Sequence, residues 1–301
     1  TALLTACGGT QGGAPGGTDG GLQVVAGFYP LQWTAERVGG DRVAVTSLTP
    51  PGAEAHDLEL APRDVGSVVD ADLLVHLRGF QPAVDAAAEE AGDTAWDAGA
   101  AADLVPLEED ARAADENAED EHADEPGGDV DPHFWLDPLR LADVGDALAE
   151  RLAETDPDGA AAYEENAAAL RADLEALDAE LRDDLADCGV DVLVTAHDAF
   201  GYLGDRYGLE VVGISGISPS AEPDAAALAE ITGLVEDRGV TTVYTETLVD
   251  PAVAETVADE AGARTAVLDP LEGLTEESAG EDYLAVMRAN GATLAQGQSC
   301  S

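Results

Sequence analysis

Three of the five histidines in this 301-residue chain occupy places where a side chain could serve a shared ligand. His56 follows the run "VAVTSLTP" within "PGAEAHDLELAP", His197 ends "VLVTAH", and His133 lies in "DVDPHFWLDP", residues 129–138. Proline fixes its own φ and restricts the residue before it, so Pro132 and Pro138 keep the backbone around His133 stiff and extended. Asp269 stands before Pro270, at the end of "TAVLDP". Neutral imidazoles and a carboxylate suit a borderline divalent cation, and three of the first with one of the second make a four-coordinate set fit for zinc. Taken singly, each residue reads as well as a hydrogen-bonded loop side chain, and Asp269 as a turn residue. Their joint placement is what points to a metal. His76, inside "DLLVHL", reads as a core or edge residue, and His122, inside an acidic run, as part of a solvated loop.

Three imidazoles on a metal with water in the fourth position also describe a hydrolytic site. Asp198 and Glu246 are the candidates for its general base. Asp269 as a fourth protein ligand closes that position, and the chain has no HExxH or nucleophile-elbow motif. The sequence therefore reads as a binder and not an enzyme.

To gather donors so far apart in the chain, the fold must end its strands in one region. From residue 22 to about 110, β-branched runs ("LQVVAG", "VAVTSL", "DLLVHL") alternate with helical stretches, the signature of βαβ units and a parallel sheet. Residues 108–131 are acid-rich with few large apolar side chains and read as a solvated loop. A helical block follows, and then a segment of about thirty residues with Leu170, Leu174, Leu177, Leu181 and Leu185 at three- and four-residue spacing, apolar on one face. After Gly189 the alternation of strand and helix returns. The expected fold class is α/β, with two lobes, each a parallel β-sheet flanked by helices, joined by a long rigid helix. Residues 1–21 form a tether, 22–155 the N-terminal lobe, 157–187 the linking helix and 188–301 the C-terminal lobe. In open parallel sheets, ligands bind outside the carboxyl ends of the strands, where His56, His197 and Asp269 are expected.

The formal charge is −50, from 63 acidic residues against 13 basic ones, all arginine. That balance excludes nucleic acid and anionic membrane surfaces as partners and favours cations. No stretch of 18 apolar residues is present. Leu4-Thr5-Ala6-Cys7 resembles the end of a bacterial lipoprotein signal, in which the cysteine thiol takes a lipid, and a Gly-rich polar tether follows it. Outside the cytoplasm the two remaining thiols, Cys188 and Cys300, are expected to pair. Such a bridge closes a loop of about a hundred residues, worth roughly 4–5 kcal/mol in the chain-entropy account.

The ordered set "TPPGAEAHDLELAPRD", "DPHFWLDP", "VTAHDAFGYLGDRYGL", "YTETLVDPAVAETVADEAG" and "VLDPL" resembles the zinc/manganese-binding lipoproteins of bacterial ABC importers, over residues 22–295. The resemblance implies two α/β lobes linked by a rigid helix with the metal buried between them, and His56, His133, His197 and Asp269 as ligands. It implies Zn2+ as cargo, with Mn2+ or dual binding as the alternative. Manganese-preferring relatives commonly carry an acid where this chain has His197. It implies a membrane ABC permease as partner, a monomer lipid-anchored through Cys7 to the outer face of the cell membrane, and an adhesin role as a further alternative. Asp57, Asp137, Asp198 and Glu246 are the candidates to orient the imidazoles through their free N–H groups. One departure stands out: the loop before "DPHFW" is often histidine-rich in the zinc branch, and here it is carboxylate-rich.

Overall fold

Eight short strands make two four-stranded sheets among the described residues, and every pairing in both is parallel. The first sheet holds β1 (Leu22–Ala26), β2 (Val43–Ser47), β3 (Leu73–His76) and β4 (Ala95–Asp97) in the order β2-β1-β3-β4. The second holds β5 (Val192–Thr195), β6 (Glu210–Gly213), β7 (Thr242–Thr245) and β8 (Arg264–Val267) in the order β6-β5-β7-β8. The interior strands β3, β5 and β7 are buried along their whole length, while the edge strand β2 exposes alternate residues. Continuous apolar runs at the centre are what a parallel sheet covered on both faces requires. The computed structural model describes residues 21–107, 130–221 and 223–301. Cys7, most of the tether, His122 and residues 108–129 of the acidic stretch lie outside the described residues.

In the first lobe the helices are α1 (Tyr29–Gly39), α2 (Pro62–Asp70), α3 (Pro82–Ala91) and the single turn α4 (Gly99–Ala102). The helical block that follows is α5 (Pro138–Thr155), a 3-10 turn at Pro157–Gly159, and α6 (Ala160–Asp184). The second lobe adds α7 (Gly201–Tyr207), α8 (Ala225–Arg238), α9 (Ala252–Ala261) and α10 (Tyr283–Gly297). Helix α5 starts where it does because Pro138 sits in its first turn and the Asp137 carboxylate accepts the Leu139 N–H. No described helix is long and apolar enough to cross a membrane.

The 25 residues of α6 reach about 38 Å at 1.5 Å per residue. Its buried stripe, Tyr163, Ala167, Leu170, Leu174, Leu177 and Leu181, belongs to one apolar cluster with Leu31 and Leu148 of the first lobe and Leu203 and Leu294 of the second. The helix thus joins the lobes by sharing a core with each. Two glycines let it approach closely: a Cβ on Gly145 of α5 would lie 2.9 Å from Leu170, and one on Gly291 of α10 would collide with Leu181. At the far end Cys188 and Cys300 form the expected disulfide, within a short antiparallel contact in which Gly189 and Val190 donate to Ser299 and Gln298.

Candidate metal centre

The loop after β2 carries His56, and buried groups hold that loop. Gln81 is buried, and its amide nitrogen donates to Thr49 Oγ1 at 2.9 Å and to the Ala55 carbonyl at 3.0 Å. The Glu54 carboxylate accepts the backbone N–H groups of His56 and Asp57, each at 2.8 Å. The His56 ring stands edge-on to Phe80 at 4.7 Å. On the proline-bounded segment, Asp131 Oδ1 accepts both the backbone N–H of His133 at 2.9 Å and its Nδ1–H at 2.8 Å. An ionised carboxylate only accepts, so Nδ1 carries a proton and Nε2 is the ring nitrogen left to face a ligand.

In the second lobe, His197 lies two residues beyond β5 and Glu246 directly beyond the neighbouring β7. Strands β5 and β7 flank the point where the strand order reverses, the place for ligands in sheets of this kind. Glu246 accepts the His197 backbone N–H at 3.0 Å and its Nδ1–H at 2.7 Å, which again turns Nε2 toward the site.

The three Nε2 atoms and the carboxylate of Glu272 converge, with all four donor atoms within 4.8 Å of one another. Glu272 Oε1 is 3.4 Å from His56 Nε2, 3.5 Å from His133 Nε2 and 3.3 Å from His197 Nε2, and the His56 and His133 Nε2 atoms are 3.3 Å apart. A tetrahedron with metal–ligand bonds of 2.0–2.1 Å has edges of about 3.3 Å. His197 Nε2 and Glu272 Oε1 are buried without a hydrogen-bond partner, an arrangement that costs free energy unless something shared satisfies them. Donor type, number and spacing all fit a closed four-coordinate zinc site.

Of the sequence-expected residues, His56, His133 and His197 are brought together and Asp269 is not in the group. Both oxygens of the buried Asp269 carboxylate are engaged nearby: Oδ1 accepts the Leu271 N–H at 2.8 Å and Oδ2 the Ser278 hydroxyl at 2.8 Å. Glu272, three residues on, is the carboxylate that lies in the group. Among the residues expected to orient the imidazoles, Glu246 does so. Asp137 instead caps α5 and faces Arg206 at 3.2 Å, so it holds a helix and not a ring. Among the described residues no side-chain hydrogen bond joins Asp57 or Asp198 to an imidazole; Asp57 is exposed and Asp198 is mostly shielded. The orienting group on His133 is Asp131, only two residues away, the first residue of "DPHFWLDP" and not one of the candidates for that role. His76 is buried with Nδ1 at 3.3 Å from Asp85 and takes no part in the group.

Electrostatics follow the geometry. Burial works against a charged His197, but Glu246 and Glu272 outweigh it and hold its pKa up to about 10. Burial likewise opposes a charged His133, and Asp131 with Glu272 raises its pKa above the ordinary value. Glu272 would be pushed up by burial, yet the three imidazoles keep it well below the usual carboxylate range. Burial raises Asp269 and Asp198. Glu272 is thus a buried carboxylate ringed by three imidazole nitrogens at 3.3–3.5 Å.

The chain matches the ZnuA family, described as zinc-uptake complex component A, periplasmic, over residues 24–297. It is 36% identical over 278 residues to the zinc-binding lipoprotein AdcA of Streptococcus pneumoniae serotype 4, covering 90% of this chain and 55% of AdcA. It is 33% identical over 302 residues to the high-affinity zinc uptake system protein ZnuA of Bacillus subtilis strain 168, covering 96% of this chain and 91% of that one. Among solved structures, the Zn(II)-bound ZnuA-like domain of Streptococcus pneumoniae AdcA superposes with a TM-score of 0.75 at 35% identity, over 93% of this chain and 99% of that domain. The chain spans about half the length of the AdcA relatives that it matches.

Proposed function

The chain belongs to the ZnuA family, and on that premise we propose that it captures Zn2+ outside the cytoplasm and hands it to a membrane ABC permease. The ion sheds its water between the lobes and is held by Nε2 of His56, His133 and His197 and by Glu272. Asp269 serves the turn that carries Glu272. The observation that carries this reading is the convergence of four donor atoms at 3.3–3.5 Å contacts, two of them buried and otherwise unpartnered. The names of the relatives, which are zinc-binding and zinc-uptake proteins, support the choice of metal. So does the donor set, since three imidazoles favour zinc over manganese both in ligand type and in the divalent affinity order. The protein works as a monomer, attached to the outer face of the cell membrane through a lipid on Cys7.

Chelator-competition titration of the metal-free chain with zinc and manganese at neutral pH tests the reading. One tight zinc site with much weaker manganese binding is expected. Comparable manganese binding would move the protein to the dual or manganese type, and no tight site for either metal would overturn the proposal.

A further inference from the structure

Trp135 joins two of the donor-bearing loops across the lobe boundary. Its indole Nε1–H donates to the Pro270 carbonyl at 2.7 Å, and its own carbonyl accepts the Tyr283 hydroxyl. Trp135 and Tyr283 are fully buried. Trp135 follows His133 by two residues, and Pro270 precedes Glu272 by two. Between Pro270 and Glu272, Leu271 has φ +61°, a left-handed conformation that a leucine keeps only when its surroundings enforce it. The Asp269 carboxylate on the Leu271 N–H is one such enforcement. The indole on the Pro270 carbonyl is the other, and it is the one anchored in the opposite lobe, with its ring 5.2 Å from that of His133.

We propose that Trp135 is a positioning residue for metal capture: its hydrogen bond to Pro270 holds the turn at Leu271, and so sets the Glu272 carboxylate against the imidazole of His133. This rests on the proposed function, in which Glu272 and His133 hold the metal. A buried carbonyl that loses its donor finds no water in exchange, so the turn is released toward ordinary φ and Glu272 swings with it. Trp135 thereby ties the fourth donor of one lobe to the stiffest donor of the other.

The test is a double-variant cycle on the full chain, with zinc affinity read by chelator competition for the parent, Trp135→Phe, Glu272→Ala and the two combined. Phenylalanine keeps an aromatic ring in place and removes the N–H. Trp135→Phe is expected to weaken zinc binding about 10- to 100-fold in the parent and less than about 3-fold when Glu272 is already absent. Equal losses in both backgrounds would show that Trp135 acts through packing alone and would overturn the proposal, as would parent-like affinity in Trp135→Phe. Cobalt(II) supplies a second readout: Trp135→Phe is expected to lose the intense visible absorption of a four-coordinate ion, and an unchanged spectrum counts against positioning. If Trp135→Phe does not fold, Tyr283→Phe removes the other hydrogen bond on Trp135 and runs through the same cycle, with the same losses expected and the same results overturning the proposal. A parent with no tight zinc site, or Glu272→Ala binding as tightly as the parent, removes the premise itself and is distinguishable from both.

Discussion

The β2-β1-β3-β4 sheet and the β6-β5-β7-β8 sheet share one strand order, yet they deliver donors differently. In the second, His197 and the carboxylate that orients it, Glu246, stand just beyond the ends of two adjacent interior strands, and the hydrogen bonds between them span the reversal point of the sheet, while Glu272 comes from the loop after β8. In the first, the residue that ends the corresponding interior strand β3 is His76, which faces Asp85 and not the site. Its donors come instead from the loop after the edge strand β2 and from the segment before α5. A strand-end donor is placed by the ladder hydrogen bonds that fix the strand. A loop donor needs dedicated contacts, and Gln81, Glu54 and Asp131 supply them. His56, the only one of the three imidazoles that is not fully buried, has the loosest hold.

The sharpest way to break this contrast is to delete one imidazole from each lobe. His197→Ala should cost about 1,000-fold or more in zinc affinity, because it removes a donor and leaves Glu246 and Glu272 buried without their partner. His56→Ala should cost about tenfold less than that, since water can reach its place. Equal losses by chelator competition would mean that strand-end and loop donors are not distinguished.

A smaller effect sharpens the same point through the groups behind the rings. Glu246→Gln and Asp131→Asn should each weaken zinc about 10- to 100-fold with the fold intact. The Glu246 variant should be the worse, because that carboxylate uses both of its oxygens on His197, whereas Asp131 uses a single one on His133. The reverse ranking would place control of the site in the first lobe.

The pH dependence is the gentlest probe. From residue types alone, affinity would fall only as pH drops through about 6.5. The raised values of His133 and His197 move that window upward, so zinc binding at pH 7 should release protons and tighten about tenfold per pH unit for each proton displaced. Calorimetry in buffers of different ionisation enthalpy counts those protons, and none released would contradict the raised values. The metal-free fold has the matching sign. His197 rises from 6.5 to about 10 on folding, so its contribution is complete below 6.5 and is lost as pH climbs through about 10. The metal-free Tm should therefore fall over that range, where no lysine is present to titrate. A rising Tm would reverse the sign.

How much is legible in the sequence follows the same division. Apolar interior strands and amphipathic helices leave recognisable patterns, and β1–β3, β5–β8 and the helices other than α4 lie where those patterns indicate. The three-residue β4 and the one-turn α4 are too short to carry a period, so only the structure shows them. His197 and His56 are visible because a strand end marks them, and His133 because prolines do. Glu272 lies five residues beyond β8, and choosing it over Asp269 depends on the left-handed turn at Leu271, which residue type does not advertise. A signal is present nonetheless: a lone carboxylate in "PLEGL", between two leucines, is an unusual place for an exposed acid. Asp131 is hidden because its role depends on a two-residue turn and not on a strand.

The Cys188–Cys300 bond has a mechanical meaning. It joins the entrance of the second lobe to its exit, 112 positions apart, so all four strands of that sheet lie inside a covalent ring. Tension applied to the two ends of the chain passes across the sulfur bridge and bypasses everything between. About 380 Å of contour length is thereby hidden from any stretching force, and only the first lobe and the long helix bear the load.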